Sequence, residues 1–157
     1  MTPGISTAKN AKIFFKVREY AHEPSNTSYG EEAAEKMGVQ IERVFKTLVV
    51  SLGGKELAVG VVPVSSMLNM KHIAKAAGAK KAEMAAASDV ERSTGYVLGG
   101  VSPLGQKRKL KTIIDSTANQ FSTIFVSAGR RGLEIELKPD DLKTLSNGIF
   151  AEIGYNK

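Results

Sequence analysis

The sequence predicts an α+β domain in which a mixed, mostly antiparallel sheet curls toward a barrel, with helices outside it. Short apolar or alternating segments outnumber the helical ones, which is typical of a sheet built from hairpins. Gly53-Gly54 separates two such segments and is a hairpin turn signal. Because no linker, repeat or low-complexity tract interrupts the pattern, residues 1–157 are expected to form a single domain.

Helices are predicted where apolar residues recur with helical spacing between start and stop residues. Ser28 and Glu31 have the spacing of a capping box, and Gly38 is placed to end the helix that follows. Pro139 opens the last helix, with acidic residues where the helix dipole favours them. The predicted helices cover residues 2–12, 28–37, 70–77, 88–92 and a segment starting at 139.

Strands are predicted from alternation or from short apolar runs bounded by turn residues. A loop at 22–27 and a turn at 130–132 separate some of them. The predicted strands cover residues 14–20, 44–52, 56–64, 81–84, 110–115, 123–127, 133–137 and 149–153.

Composition excludes several classes of function. The chain has no cysteine, which excludes disulfides, cysteine nucleophiles and thiolate metal sites. The two histidines, His22 and His72, lie far apart and outside any metal-ligand motif, so no metal is expected. No apolar run approaches the roughly 20 residues of a membrane helix and no signal peptide is evident, so a cytoplasmic protein is expected. The net charge of +6 fits a nucleic-acid partner, although solubility alone would also explain it.

Lys46 is unusual because it lies inside a strongly apolar segment. By alternation it shares a strand face with Val44, Leu48 and Val50, and that face is expected to be the inner one. Two interpretations remain open: the amine reaches water from the end of the strand, or it lies at the mouth of a pocket and holds an anion or a polarised carbonyl.

Two glycine-containing segments are candidate pocket walls. The first runs from Gly99 to Gly105 and fits neither a Walker loop nor a nucleophile elbow. The second, from Ser127 to Gly132, ends an apolar strand, and no base lies near Ser127 in sequence. Both segments are equally compatible with plain turns.

Charged and aromatic residues supply the remaining candidates. Clusters at 80–81, 107–111 and 130–131 could form one phosphate-binding face or separate solvated faces. Tyr20 and Tyr29 flank the loop that holds His22 and could stack on a terminal base. Glu134 and Glu136 share one strand face, and the alternation favours a pair that faces solvent.

Taken together, these segments resemble the YbaK/EbsC family of aminoacyl-tRNA deacylases over nearly the whole chain. The resemblance is carried by several motifs in one order. They are His22-Glu23-Pro24, Phe45-Lys46-Thr47-Leu48, Arg92-Ser93-Thr94-Gly95-Tyr96, the segment from Gly99 to Lys107, and the segment from Val126 to Leu133. The sequence is most similar to the bacterial Cys-tRNA(Pro) deacylase branch, whose fold is shared with the editing insertion of some prolyl-tRNA synthetases.

The resemblance implies a free-standing enzyme that removes cysteine from tRNA(Pro), by water or by attack of the substrate's own thiol. It implies no metal or cofactor, mischarged tRNA as substrate, and a ternary complex with prolyl-tRNA synthetase. Family branches that act on Ala- or Ser-charged tRNA are the first alternative. A basic RNA-binding module without activity is the second, and it would bind tRNA with a steep dependence on salt.

Residue roles follow from the resemblance. The family's essential lysine falls on Lys46. The implied substrate-binding residues are Tyr20, Tyr29, Thr47, Gly99, Ser127, Gly129 and Glu134. The basic residues expected to contact tRNA are Lys107, Arg108, Arg130 and Arg131. Position 29 is often phenylalanine and position 134 often aspartate in relatives, while Ala128 replaces a common glycine, so the role of Glu134 and the identity of the amino acid stay open.

Overall fold

A computed structural model describes residues 1–26 and 28–156, and it confirms the α+β class. The helices are α1 (Pro3–Asn10), α2 (Tyr29–Met37), α3 (Met70–Ala76), α4 (Ala87–Thr94) and α5 (Pro139–Ser146). The strands are β1 (Phe15–Glu19), β2 (Phe45–Gly53), β3 (Glu56–Pro63), β4 (Ser66–Leu68), β5 (Glu83–Met84), β6 (Lys111–Asp115), β7 (Ile124–Arg130), β8 (Leu133–Leu137), β9 (Ile149–Ala151) and β10 (Gly154–Asn156). Short 3-10 helices lie at Ile41–Arg43 and Ser116–Gln120. None of the described helices is long and apolar enough to cross a bilayer.

The strands form a five-stranded sheet of order β5-β2-β3-β6-β9, a three-stranded sheet of order β1-β8-β7, and the pair β10-β4. Only β3–β6 and β6–β9 pair in parallel among the described strands, so the prediction of a mixed, mostly antiparallel architecture is confirmed. The expected closure toward a barrel is wrong. A single parallel bridge between Val44 and Phe125 connects the two larger sheets, and one bridge does not continue the hydrogen-bonded ladder around a barrel.

The five-stranded sheet is the middle layer of the molecule, and both of its faces are buried. On one face, Phe45, Val49 and Val61 belong to a core that includes residues of β7 and β8. On the other face, Val50 and Val62 pack in a second core with residues of α3. Strands buried on both faces lose simple alternation of apolar and polar residues, which explains the nearly continuous apolar sequence of β2.

Several element boundaries differ from the predicted ones for identifiable reasons. Ser28 is the N-cap residue of α2, but the capping-box prediction is wrong: within the described chain its side chain makes no capping hydrogen bond, and its ψ of 72° is outside the extended range typical of such caps. The predicted strand at 149–153 ends at Ala151 and another strand begins at Gly154, because Asp115 Oδ1 accepts hydrogen bonds from the Ile153 and Gly154 N–H groups, both at 2.9 Å, and turns the chain. The last residue of the predicted 22–27 loop, Thr27, lies outside the described residues.

Candidate active site

A cavity of about 370 Å³ lies where the start of β2, the start of α2, the loop around Gly99 and the β7–β8 hairpin meet. Its volume is within the range of small-molecule sites. The structure brings most of the sequence-predicted site residues to its walls. They are Tyr20, Tyr29, Lys46, Thr47, Gly99, Ser127, Arg130, Arg131 and Glu134. Sequence analysis missed much of the apolar lining, which is contributed by Val64, Met84, Ala85, Val90, Leu98 and Val101.

The wall formed by β2 presents a cation and a hydroxyl. Lys46 is half-buried and lines the cavity, so its placement agrees with the pocket interpretation of this in-strand lysine. The next residue, Thr47, has its Oγ1 buried with no hydrogen-bond partner among the described residues. A buried hydroxyl without a partner carries a desolvation cost that a polar ligand group can relieve.

The opposite wall, on β8, holds a buried acid. Glu134 is 7% exposed, so the sequence-based preference for a solvent-facing pair with Glu136 is wrong at this position. Burial raises the pKa of Glu134 to about 8. Burial raises the pKa of Tyr20 to about 12, with a smaller contribution from the negative charge of the nearby Glu134. A cation placed next to the Glu134 carboxyl would favour its ionised form.

Glu136, the other acid of this strand, differs from Glu134 because it pairs with two arginine side chains. Its carboxylate lies 3.5 Å from Arg18 Nη1 and 3.6 Å from Arg43 Nη2, and it accepts a hydrogen bond from Thr123 Oγ1 at 2.8 Å. Glu136 therefore joins β8 to its neighbours and does not line the cavity.

Arg131 closes one side of the cavity. Its Cζ lies 4.0 Å from the centroid of the Tyr29 ring, and its Nη2 donates to the Leu98 carbonyl oxygen at 3.3 Å. Gly99 lies directly under this contact with a φ of +88°, and a Cβ there would come within 2.8 Å of both Arg131 and Tyr29. Only glycine fits this position without strain, which gives the glycine in this loop a packing reason.

Tyr29 is held in place by a buried network that the sequence analysis did not find. Glu32 is 2% exposed, and its carboxylate contacts His22 Nδ1 at 2.6 Å, the Glu23 N–H at 2.8 Å and Lys36 Nζ at 3.2 Å. Burial opposes ionisation, but these donors prevail and lower the pKa of Glu32 to about 2. The His22 ring in turn meets the Tyr29 ring edge-on at 5.6 Å. The i,i+4 spacing of Glu32 and Lys36 was the available signal, but it does not reveal burial.

Other predicted site residues lie elsewhere. Gly129 does not line the cavity, and it packs against the Tyr96 ring, which a Cβ would approach to 2.6 Å. Lys107 does not line it either, and Arg108 lines a separate cleft, so the cluster at 107–111 does not join Arg130 and Arg131 at this cavity. Neither histidine lines the cavity. In the described ranges, His, Asp and Glu side chains form no group of three that could hold a metal ion.

Comparison with known proteins identifies a family whose sequences match this chain. The profile of the aminoacyl-tRNA editing domain matches residues 22–145. EbsC of Enterococcus faecalis, named as a proposed Cys-tRNA(Pro)/Cys-tRNA(Cys) deacylase, is 42% identical over 153 residues, which cover 97% of this chain and 92% of EbsC. The uncharacterized protein YwhH of Bacillus subtilis is 31% identical over 74% of this chain and 73% of its own length.

A solved structure shows the same fold. The crystal structure of a proposed trans-editing enzyme for prolyl-tRNA synthetase aligns with a TM-score of 0.83 at 22% identity, covering 98% of this chain and 96% of that one. The profile match spans most of the chain, and the match to EbsC spans nearly all of it. This chain therefore belongs to the aminoacyl-tRNA editing domain family.

Proposed function

We propose that the protein is a free-standing trans-editing deacylase that removes cysteine from mischarged tRNA(Pro). The observation that carries the proposal is one small cavity with Lys46 on the wall formed by β2 and the buried Glu134 carboxyl on the wall formed by β8. The family supports the reaction class, and the name given to EbsC supports the substrate. Residues 1–157 act in this proposal as one editing domain, in the cytoplasm, where mischarged tRNA is formed.

The cavity has a chemical partner for each polar end of an aminoacyl ester. The α-ammonium of the amino acid pairs with Glu134, because a cation offsets the cost of ionising a buried carboxyl. The Thr47 hydroxyl hydrogen-bonds to the substrate and so gains the partner that it lacks among the described residues. The Lys46 amine stabilises negative charge that develops on the ester carbonyl oxygen during attack.

Two routes of release are compatible with these roles. In the first, the substrate thiol sulfur attacks the ester carbonyl carbon. The new C–S bond forms as the C–O bond to the terminal ribose breaks, the thiol proton ends on the released ribose hydroxyl, and water later opens the cyclic thioester to cysteine. In the second, water attacks the same carbon and gives cysteine directly. Detection of the cyclic thioester early in the reaction distinguishes the routes, because only the first passes through it.

Prolyl-tRNA synthetase is the proposed partner in a ternary complex with the mischarged tRNA. Cysteine and proline side chains are similar in size, and the aminoacylation site of the synthetase rejects a near-isostere poorly. A separate editing site is therefore needed to remove the wrong amino acid. We expect addition of the synthetase to increase the release of cysteine from tRNA(Pro) at limiting enzyme.

The direct test is release of radiolabelled cysteine from Cys-tRNA(Pro). We expect Lys46→Ala to lower the rate by about 100-fold or more, in keeping with loss of one oxyanion-stabilising group. Lys143→Ala, which removes an exposed lysine of α5, is the matched control and should retain the wild-type rate. Equal rates for Lys46→Ala and Lys143→Ala would exclude the role given to Lys46. No release by the wild type, even with synthetase present, would exclude the substrate.

The choice of amino acid is tested on a panel of mischarged tRNAs. A cavity of this size also admits alanine and serine, so Ala-tRNA and Ser-tRNA are the informative competitors. We expect the largest kcat/KM for the cysteine ester. A preference for Ala-tRNA would keep the reaction class and overturn the cysteine assignment.

A further inference from the structure

A second cleft lies beside the β2–β3 hairpin and has no role in the chemistry proposed above. We call it the hairpin cleft. It has a volume of about 500 Å³ and is lined by Ser51, Gly54, Lys55, Leu57, Asp89, Arg92, Ser93 and Arg108. Three of these side chains are cationic and one is acidic, so the lining carries a net positive charge.

The cations of the hairpin cleft have different surroundings. The Arg108 N–H donates to the Ser93 carbonyl oxygen at 2.9 Å, which fixes the loop carrying Arg108 against the end of α4. Arg92 pairs with Asp89 on the exposed surface of α4, a kind of ion pair that contributes little to stability and exchanges readily. Lys55 and Arg108 are exposed and form no ion pair with an acidic side chain in the described residues.

The hairpin cleft is connected to the active-site cavity by two shared elements. Along β2, Lys46 lines the cavity and Ser51 lines the cleft, about 17 Å apart at the rise of an extended strand. Along α4, Val90 faces the cavity whereas Arg92 lies in the cleft. A few nucleotides of single-stranded RNA can span this separation.

The chemistry of the lining selects the kind of ligand. Guanidinium, ammonium and hydroxyl groups are the usual donors to phosphate oxygens. No aromatic ring is among the residues that line the hairpin cleft, so it offers no platform for stacking bases. Among the lining residues, only Leu57 has a large apolar side chain, so the cleft offers little contact surface to an apolar ligand.

We infer that the hairpin cleft binds backbone phosphates of the single-stranded 3′ end of the tRNA whose aminoacyl group occupies the active-site cavity. This inference rests on the proposed function, because that function fixes where the 3′ terminus lies. It assigns Lys55 and Arg108 to RNA binding and leaves Lys46 and Glu134 to the amino acid. Contacts made to phosphates position the RNA and carry no sequence preference.

The experiment measures the affinity of fluorescently labelled, uncharged tRNA(Pro) at a series of salt concentrations. The variant is Lys55→Gln/Arg108→Gln, and the matched control is Lys71→Gln/Lys143→Gln, which removes two exposed lysines from α3 and α5. Each phosphate contact to a single strand contributes about 0.7 to the slope of log affinity against log salt. We therefore expect the cleft variant to reduce the slope by about 1.4 relative to the control.

Cysteine release supplies the second readout. We expect the cleft variant to raise KM for Cys-tRNA(Pro) by about 10-fold, as two phosphate contacts are lost, with kcat within about twofold of wild type. A slope and a KM equal to those of the control would overturn the inference while cysteine release by the wild type continues. If instead the slope falls as expected but no protein releases any amino acid, the proposed function fails and the hairpin cleft remains an RNA-binding site.

Discussion

Two buried glutamates of this protein have opposite electrostatic surroundings. Glu32 in α2 is bound by His22, the Glu23 N–H and Lys36, and its pKa is lowered to about 2. Glu134 in β8 lies on the cavity wall, and burial alone raises its pKa to about 8. The charge of the first is stabilised by the donors around it, whereas burial disfavours the charged form of the second.

The difference separates a structural acid from a ligand-binding acid. Glu32 holds the segment before α2 and, through His22, the Tyr29 ring. Burial disfavours the ionised form of Glu134, and the α-ammonium of an aminoacyl ester placed beside it would favour that form. Burial by itself would not distinguish the two residues, whereas the donors around each one do.

Glu134→Gln should have the largest effect on the pH dependence of stability. The folded pKa of about 8 lies above the ordinary value of 4.5, so ionisation in the unfolded state destabilises the wild type as pH rises from about 4.5 to about 8. The glutamine variant lacks this loss and should gain up to about 5 kcal/mol relative to wild type across that window. Urea unfolding at pH 5 and pH 9 measures it, with the exposed Glu91→Gln as control. A constant difference at both pH values would contradict the assigned environment.

Glu32→Gln should have the opposite sign. Its folded pKa lies below the ordinary value, so the carboxylate contributes stability that is present above about pH 4.5 and is lost as pH falls toward 2. We expect the variant to be about 2 kcal/mol less stable at pH 7, because charge-assisted hydrogen bonds are weakened. The deficit should shrink in acid, as urea unfolding at pH 7 and pH 3 would show. A variant as stable as wild type at pH 7 would remove the contrast between the two acids.

Thr47→Val should have the smallest effect on stability and a clear effect on activity. Because Thr47 Oγ1 has no described partner, its loss should leave stability unchanged or raise it by up to about 1 kcal/mol. KM for the mischarged tRNA should rise by about 10-fold, since the hydroxyl is assigned to the substrate. The matched control is Thr112→Val, which loses a hydrogen bond from Oγ1 to the Leu110 carbonyl oxygen and should cost about 1 kcal/mol. Equal destabilisation of the two variants would contradict the assignment.

The hairpin, the mixed sheet and the position of Lys46 inside a strand could be predicted, because they follow from the local pattern of apolar, polar and turn residues. The prediction failed at Glu134, since alternation cannot show that β8 is the central strand of its sheet or that the face carrying Glu134 lines the cavity. The Glu32 network was missed because two of its partners, His22 and Glu23, come from a loop whose path is set by tertiary structure. The division of residues 149–156 into two strands depends on Asp115, which is distant in sequence.

The pH titration of Glu134, followed by NMR on protein labelled with ¹³C-glutamate, tests the central claim most directly. Glu134→Gln identifies the resonance, and the ligand is a non-hydrolysable cysteinyl amide of a 3′-terminal adenosine analogue. We predict a midpoint near pH 8 in the free protein and a decrease of about 1 to 3 pH units with the analogue bound, because its ammonium stabilises the carboxylate. A midpoint that does not change on saturation with the analogue would contradict the claim that Glu134 receives the amino acid.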